Sequence, residues 1–349
     1  MSNMLIIGDL HFGIKANSQD YLDFQIKWFK DELYKTIKDN DVKYIVFLGD
    51  INDSRLSLSP LVMNYERDLF IDLKNTYPNV EYHVILGNHD LYYKNTREVH
   101  SLNFLKDIGY IVHEDFTSLT IENRKMFFVP WILKEEMDDF KLMLAENKYD
   151  CLFGHLEING FTMVKGVVDK DGWSHSIFSN CDKVFSGHYH LRSKKGNIQY
   201  VGTPFEISQN DSGNVKGIDL LNLETMETKF IKTKNTPKHL SFNSYTYPID
   251  KINKKLINNN ILKISLGNSL SESDKVEYIE KVNSMKPLRV IFEDESDSEL
   301  VVNDKQIQES LKNTEEFLNE YINLIDIDSS IDKYDVINDF KEYYKKAVI

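Results

Sequence analysis

The chain has 349 residues, of which 41% are hydrophobic and 12% aromatic, so it can bury a sizeable core and exceeds what one compact domain needs. Its two cysteines, Cys151 and Cys181, lack Cys-x-x-Cys spacing, which argues against a disulfide framework or a thiolate zinc site. A net charge of -13 disfavours a polyanionic partner, although bound divalent metals would change the local sign in a carboxylate-rich pocket.

The apolar runs are strand-sized and well short of the roughly 20 residues that a membrane span requires. The N-terminus passes from Met1 into Leu5-Ile6-Ile7 without a basic, cleavable leader. We therefore expect a soluble, cytoplasmic protein with no membrane partner.

The first two-thirds of the chain repeat one pattern, a short apolar run that ends in Gly, Asp, Asn or His. Each run is predicted to be a buried strand. The runs are Met4–Ile7, Tyr44–Leu48, His83–Leu86, Cys151–Phe153 and Val184–Phe185. Helix-like stretches near residues 20–38, 60–75, 95–108 and 134–147 alternate with them, as in layered α/β folds. In such folds ligands collect at the carboxyl edge of the sheet, where these polar residues would converge.

The C-terminal third has a different character, which predicts separate domains. We place a main domain at 1–235 and a small α+β domain at 236–293, with strands at Ile261–Leu266 and Leu288–Phe292 and a helix that begins near Ser271. Residues 294–304 are predicted to be an acidic linker. Residues 305–349 carry apolar side chains at helical spacing, which predicts two short helices that either pack on their own domain or dock onto a partner.

Metal-ligating side chains follow the predicted strands. They comprise five of the ten histidines, two aspartates and one asparagine, which are side chains that hold divalent metals. They are Asp9, His11, Asp50, Asn88, His89, His155, His188 and His190. Two cations about 3.5 to 4 Å apart can share a carboxylate, activate a water and cancel charge on a phosphoryl oxygen. The sequence therefore predicts a two-metal hydrolytic site.

The order of these motifs resembles that of the calcineurin-like metallophosphoesterases. The elements are Asp9-x-His11, Gly49-Asp50-x-x-Asp53, Gly87-Asn88-His89-Asp90, Gly154-His155 and Gly187-His188-x-His190. The resemblance implies an α/β fold, a four-layer α-β-β-α sandwich with a small capping domain and C-terminal helices. It also implies two metal sites that share Asp50. One would be completed by Asp9, His11 and His190, and the other by Asn88, His155 and His188.

The resemblance gives further roles to residues near the metals. His89 would protonate the leaving oxygen or steady the phosphate, the alternative being a structural histidine. Asp53 would orient or charge His89 where many break-repair nucleases place a second histidine. Arg55 would contact phosphate, unless it is simply solvated. For the lone-histidine motif we prefer His155, which ends an apolar strand, over His175, which lies in a polar loop.

Within this family the chain most resembles the SbcD-type break-repair nucleases, a branch that includes the recombination endonuclease subunits of T-even-type phages. The likeness extends over nearly the whole chain, including the segments 154–161, 200–204 and 320–323. It implies a manganese-dependent DNA nuclease that degrades duplex ends 3′ to 5′ and nicks single strands, in the host cytoplasm if phage-encoded. Magnesium, iron and zinc suit the same ligands.

The same resemblance implies partners. A homodimer would form through helices near residues 60–75 and 95–108, and the capping domain would guide DNA. The C-terminal helices would grip the coiled coil of an SMC-like, SbcC-type ATPase. ATP binding would belong to that partner, because the chain has no Gly-x-x-x-x-Gly-Lys-Ser/Thr loop.

Two other functions fit the motifs. One is a phosphatase or phosphodiesterase acting on small phosphoesters or phosphoproteins, which suits the acidic net charge. The extra residues after 235 argue against it. The other is a non-catalytic structural subunit, against which the intact His89 argues, because a scaffold needs no acid beside the metals.

Overall fold

The computed structural model of the chain describes residues 2–294. The strands in this range are β1 (Asn3–Ile7), β2 (Val42–Phe47), β3 (Glu81–Ile85), β4 (Ile111–His113), β5 (Thr117–Ile121), β6 (Arg124–Val129), β7 (Tyr149–His155), β8 (Thr162–Val164), β9 (Val167–Val168), β10 (Cys181–Gly187), β11 (Ser193–Lys195), β12 (Ile198–Tyr200), β13 (Gly217–Asn222), β14 (Thr228–Lys232), β15 (His239–Asn243), β16 (Ile261–Leu266) and β17 (Arg289–Asp294). The helices are α1 (Ile14–Asn17), α2 (Gln19–Trp28), α3 (Tyr34–Asp39), α4 (Pro60–Thr76), α5 (Asn103–Asp107), α6 (Met137–Glu146), α7 (Lys254–Ile257) and α8 (Glu272–Ser284).

Two six-stranded sheets form the main scaffold. The first sheet has the order β14-β13-β1-β2-β3-β4, with β1 to β4 parallel to one another and β13 antiparallel to β1. The second has the order β11-β12-β10-β7-β6-β5, with β12, β10, β7 and β6 parallel. Both sheets therefore present the carboxyl ends of parallel strands, where loops can build a site.

The sheets pack face to face because successive strand residues point to opposite sides. In β1, Met4 and Ile6 join a buried cluster that also contains Phe128 and Phe153 of the second sheet. The alternate positions of β1 face a second cluster, which contains the buried residues of α2 and α4. A third cluster packs α6 on the outer face of the second sheet. The order helix, sheet, sheet, helix confirms the predicted four-layer sandwich.

The predicted strands before the metal motifs are all present. The stretch predicted as one helix over 20–38 consists of α2 and α3 joined by a π-helical turn at Phe29–Leu33. The helix predicted for 60–75 is α4, which Ser59 caps by accepting a hydrogen bond from the Val62 amide at 3.2 Å. The helix predicted for 134–147 is present as a 3-10 turn followed by α6.

The helix predicted over residues 95–108 is wrong for most of its length. Only α5 (Asn103–Asp107) is helical, and the preceding segment folds back through a bridge between Leu91 and His100. Two polar side chains anchor this segment. Arg97 is buried and pairs with Glu136, and His100 Nε2 lies 2.6 Å from Glu114 Oε1. This ion pair and this hydrogen bond to distant residues override the apparent helical periodicity.

The described residues divide into two compact units. The first contains residues 2–264 and 276–291, and the second contains residues 265–275 and 292–294. In the second unit, Lys275 forms ion pairs with Glu272 at 3.0 Å and with Asp294 at 2.9 Å. The strands of the C-terminal region form a sheet of order β15-β16-β17. The boundaries at 235 and 293 remain predictions. Residues 295–304 of the predicted acidic linker and the helices predicted for 305–349 lie outside the described residues.

No helix in residues 2–294 has the length and apolar character needed to span a membrane.

Candidate active site

The predicted metal-ligating side chains converge at the carboxyl ends of five parallel strands. Each is carried by the turn that follows its strand or by the last strand residue. The side chains are Asp9 and His11 after β1, Asp50 after β2, Asn88 and His89 after β3, His155 at the end of β7, and His188 and His190 after β10. Side chains from both sheets thus meet at one edge of the sandwich.

Unusual backbone conformations orient three of these side chains. His11 has φ 51°, Asp50 has φ 46° and His188 has φ 81°, a left-handed region that residues other than glycine rarely adopt and that clusters at functional sites. A neighbouring glycine makes room for Asp50, because a Cβ at Gly87 would collide with its carboxylate. The turn glycines are therefore required by the close approach of the strand ends.

One half of the site combines two aspartates and two histidines. The Nε2 atoms of His11 and His190 lie 3.0 Å apart. Asp9 Oδ2 is 4.0 Å from the first of these nitrogens and 3.9 Å from the second. Asp50 Oδ2 is 3.9 Å from His11 Nε2. Nitrogen and carboxylate donors at these separations surround a volume that suits one divalent cation.

The other half of the site shares an atom with the first. Asp50 Oδ2, already part of the first half, lies 3.3 Å from His155 Nε2. Asn88 Oδ1 is 3.0 Å from that same nitrogen and 3.1 Å from His188 Nδ1. Asp50 is therefore placed where a single carboxylate oxygen can contact two cations.

Hydrogen bonding outside the cluster leaves lone pairs facing one another inside it. His155 Nδ1 donates to the Leu48 carbonyl at 2.7 Å, so the Nε2 of the neutral ring is an acceptor. That nitrogen faces two further acceptors, the carboxylate of Asp50 and the amide oxygen of Asn88. Acceptors in contact repel unless a proton or a cation lies between them. The donor set of the described residues therefore fits bound metal.

The pKa shifts of the clustered residues also fit bound metal. Burial alone would raise the pKa of Asp50, but His155 and His11 hold the pKa of this carboxyl well below its usual range. Burial opposes the charged form of His155, yet Asp50 raises the pKa of its ring to about 9. Burial raises the pKa of Asp9. The buried carboxylates therefore require positive charge beside them, which a proton on His155 or a bound cation supplies.

His89 is held between the shared aspartate and the loop after β2. Its amide donates to Asp50 Oδ1 at 2.7 Å, and its Nδ1 donates to the Asp53 carbonyl at 2.5 Å. One ring nitrogen lies within 4.8 Å of donor atoms of His11 and Asp50. The imidazole is therefore fixed beside the cluster.

Asp53 contacts these histidines differently from the prediction. Its main-chain carbonyl, and not its carboxylate, orients His89. The carboxylate Oδ1 lies 3.2 Å from Nδ1 of His11. Asp53 therefore lies against two histidines through two different groups.

The other two predicted candidates lie outside the cluster. Arg55 is half-buried and has no ion-pair partner among residues 2–294. His175 is exposed and contacts the Lys195 carbonyl at 3.2 Å, so the structure brings His155 and not His175 to the site.

Several residues that the sequence did not single out support the cluster. Glu157 Oε1 lies 3.2 Å from His188 Nε2 and so directs Nδ1 of that ring toward Asn88. The buried Lys216 donates to the His190 carbonyl and to Asp211, each at 2.7 Å. Glu157 follows the His155 motif by two residues, which is a signal in the sequence. Lys216 is distant in sequence and has no such signal.

Comparison with known proteins places this site in a family. Residues 2–205, more than half of the chain, match the model of the calcineurin-like phosphoesterases. The chain is also similar to a protein named exonuclease subunit 1 of Enterobacteria phage T4, with 26% identity over 348 residues that cover 99% of each chain. The matched region contains all eight of the clustered residues. The chain therefore belongs to the calcineurin-like phosphoesterases, a family of metal-dependent enzymes that cleave phosphoester bonds.

Proposed function

We propose that this protein is a two-metal nuclease that hydrolyses phosphodiester bonds of DNA. The observation that carries the proposal is the position of Asp50 Oδ2, which lies 3.9 Å from His11 Nε2 and 3.3 Å from His155 Nε2 and so joins both halves of the site. Asp9, His11 and His190 would complete one metal site with Asp50. Asn88, His155 and His188 would complete the other.

Two divalent metals at this position would supply an activated water and would neutralise charge on the phosphoryl oxygens. The protein residues position the remaining chemistry. The Asp53 carbonyl can only accept, so the Nδ1 proton of His89 stays in place. Proton exchange then occurs at Nε2 of the same ring, which suits His89 as the acid that protonates the leaving oxygen.

DNA as substrate is supported by the relative that is named an exonuclease subunit and that aligns over 99% of both chains. The full-length match includes the residues after 235, which a phosphatase of small substrates does not need. We infer 3′ to 5′ exonuclease activity on duplex ends and endonuclease activity on single strands. Manganese is the metal we expect, and we infer that Arg55 contacts substrate phosphate.

The word subunit in the name of that relative supports an assembly. We infer that an SMC-like ATPase binds the C-terminal helices and that residues 236–293 guide DNA. The homodimer is supported by α4, which exposes Leu61, Met63 and Tyr65 by 44%, 54% and 45%. This assembly would act in the cytoplasm.

The test compares two substrates at the same site. Purified protein is incubated with linear duplex DNA and, separately, with para-nitrophenyl phosphate, in manganese, magnesium or EDTA. We expect manganese-dependent shortening of the DNA. Turnover of the small phosphoester alone would favour a phosphatase. If neither substrate is cleaved even with the partner ATPase present, the protein is a structural subunit.

A further inference from the structure

A groove of about 560 Å³ opens directly beside the second half of the cluster. His155 and Glu157 form one wall, and Trp131 and Trp173 are half-buried in its lining. Its volume lies in the usual range for ligand-binding clefts. The described chain has three tryptophans, and two of them line this one groove.

Both tryptophans are fixed by backbone hydrogen bonds, and the Trp131 ring also contacts two histidines of the site. The Trp131 ring lies 5.1 Å from the ring of His188 and 6.0 Å from that of His155. Its amide donates to the Leu86 carbonyl at 2.8 Å. Trp173 donates through its amide to the Glu157 carbonyl, also at 2.8 Å. The indoles are therefore presented from fixed backbone positions, which limits the entropy lost when a ligand binds.

Three lysines surround the aromatic surface in a chain whose net charge is -13. Lys94 and Lys134 are exposed, and neither has an ion-pair partner among residues 2–294. Lys141 lies 5.9 Å above the Trp173 ring and pairs with Asp138 at 3.1 Å. Free cations beside partly accessible indoles are the combination that binds single-stranded nucleic acid, with phosphates on the cations and bases on the rings.

Building on the proposed nuclease function, we propose that this groove binds unpaired nucleotides of single-stranded DNA next to the phosphate at the metals. Trp173 and Trp131 stack on the bases, and Lys94 and Lys134 contact the backbone phosphates. The groove would select a strand whose bases are unpaired, because a base in a duplex cannot offer its face to an indole. Because any base can stack on an indole, the groove distinguishes single strands from duplexes and does not distinguish one base from another.

Tryptophan emission tests the proposal without turnover. Trp28 is 3% exposed, so a ligand in the groove can reach only Trp131 and Trp173. The protein is titrated in magnesium with a short, hydrolysis-resistant phosphorothioate oligothymidylate. We expect saturable quenching, and we expect Trp173→Ala to weaken the affinity roughly fivefold to a hundredfold, with partial recovery in Trp173→Phe.

Charge is tested separately from stacking. Lys134→Ala should lower the slope of log affinity against log salt by about 0.7, as expected for one lost phosphate contact on a single strand. Lys148→Ala, which removes an exposed lysine outside the groove, should leave the slope unchanged. Inorganic polyphosphate offers phosphates without bases and should not quench the emission.

Three results would overturn the proposal. They are the absence of saturable quenching, wild-type affinity in Trp173→Ala, and equal quenching by a blunt duplex or by polyphosphate. Each of these can occur in a protein that still degrades DNA, in which case only the groove proposal is lost. Quenching in a protein that cleaves no DNA would instead retain the groove and reject the nuclease function.

Discussion

Two buried histidines, His113 in the first sheet and His155 in the second, have pKa values that shift in opposite directions. His83 and His113 lie within β3 and β4, where Nδ1 of the first is 3.0 Å from Nε2 of the second. His113 stacks on Phe128 at 4.0 Å, and burial together with His83 lowers its pKa to about 3. His155 is equally buried, yet Asp50 raises its pKa to about 9 against the effect of burial.

The difference lies in what each ring contacts, since His113 and His155 are each the last residue of their strand. His113 stacks on Phe128 and stays neutral, and the imidazole of His83 is its hydrogen-bonding partner. His155 lies beside the carboxylates of Asp50 and Asp9, which favour positive charge on its ring. Burial alone therefore does not identify a functional histidine, and one carboxylate contact does not either, because buried His83 lies 2.8 Å from Glu81 outside the cluster. The candidate site is instead distinguished by several imidazoles and carboxylates that lie together.

The largest effect is expected where the two halves of the site join. Asp50→Asn removes the shared negative charge, so we expect DNA cleavage to fall about a thousandfold or more. The initial rate of duplex shortening in manganese measures this loss of activity. Asp219→Asn is the matched control, because Asp219 is fully buried but pairs with Arg192 at 2.7 Å away from the cluster. A similar loss of specific activity in both variants would show that the effect is structural.

His89 is expected to give the next largest effect. As an acid it contributes about a hundredfold to ten-thousandfold, so His89→Gln should slow DNA cleavage by that factor. Nitrophenolate leaves without protonation, so hydrolysis of bis-para-nitrophenyl phosphate should fall much less. Equal losses on the two substrates would assign His89 to metal or phosphate binding and not to proton transfer.

Glu157 should have a smaller effect because it acts through His188. Glu157→Ala frees that ring, and we expect the affinity for manganese to weaken about tenfold to a hundredfold. Calorimetric titration of the metal-free protein with manganese measures the change. Glu157→Gln retains an acceptor for the ring and should recover part of the affinity. Unchanged affinity in the alanine variant would leave Glu157 without a role in positioning His188.

The histidine pair inside the sheet should affect stability and not catalysis. Folding lowers the pKa of His113. Below the unfolded value of about 6.5 the unfolded chain therefore binds a proton that the folded chain does not bind, and the free energy of unfolding decreases as the pH is lowered. At pH 5 the free energy of unfolding is lower by about 2 kcal/mol for this reason, and it decreases further toward pH 3.

His113→Phe should remove this dependence. Its free energy of unfolding in urea and EDTA should fall less steeply between pH 6.5 and 5 than that of the wild type. The exposed His175→Phe serves as the control and should keep the wild-type slope. Parallel pH profiles of His113→Phe and the wild type would mean that folding does not shift the pKa of His113.

The sequence determined the layered α/β fold and the eight clustered side chains. It could do so because each of them follows a buried strand, and the carboxyl ends of parallel strands necessarily meet at one edge. It also favoured His155 over His175 on this ground, and the structure places His155 in the cluster. These are local signals, carried by periodicity and by the residues that end each strand.

Only the tertiary structure decided what surrounds those side chains. The segment 95–102 is not helical because Arg97 and His100 pair with residues distant in sequence. The carboxylate of Asp53 contacts His11 and not His89, and the tryptophans beside the cluster come from two separate loops. Such contacts depend on how the two sheets pack, and no local pattern in the chain encodes a distance between residues far apart in sequence.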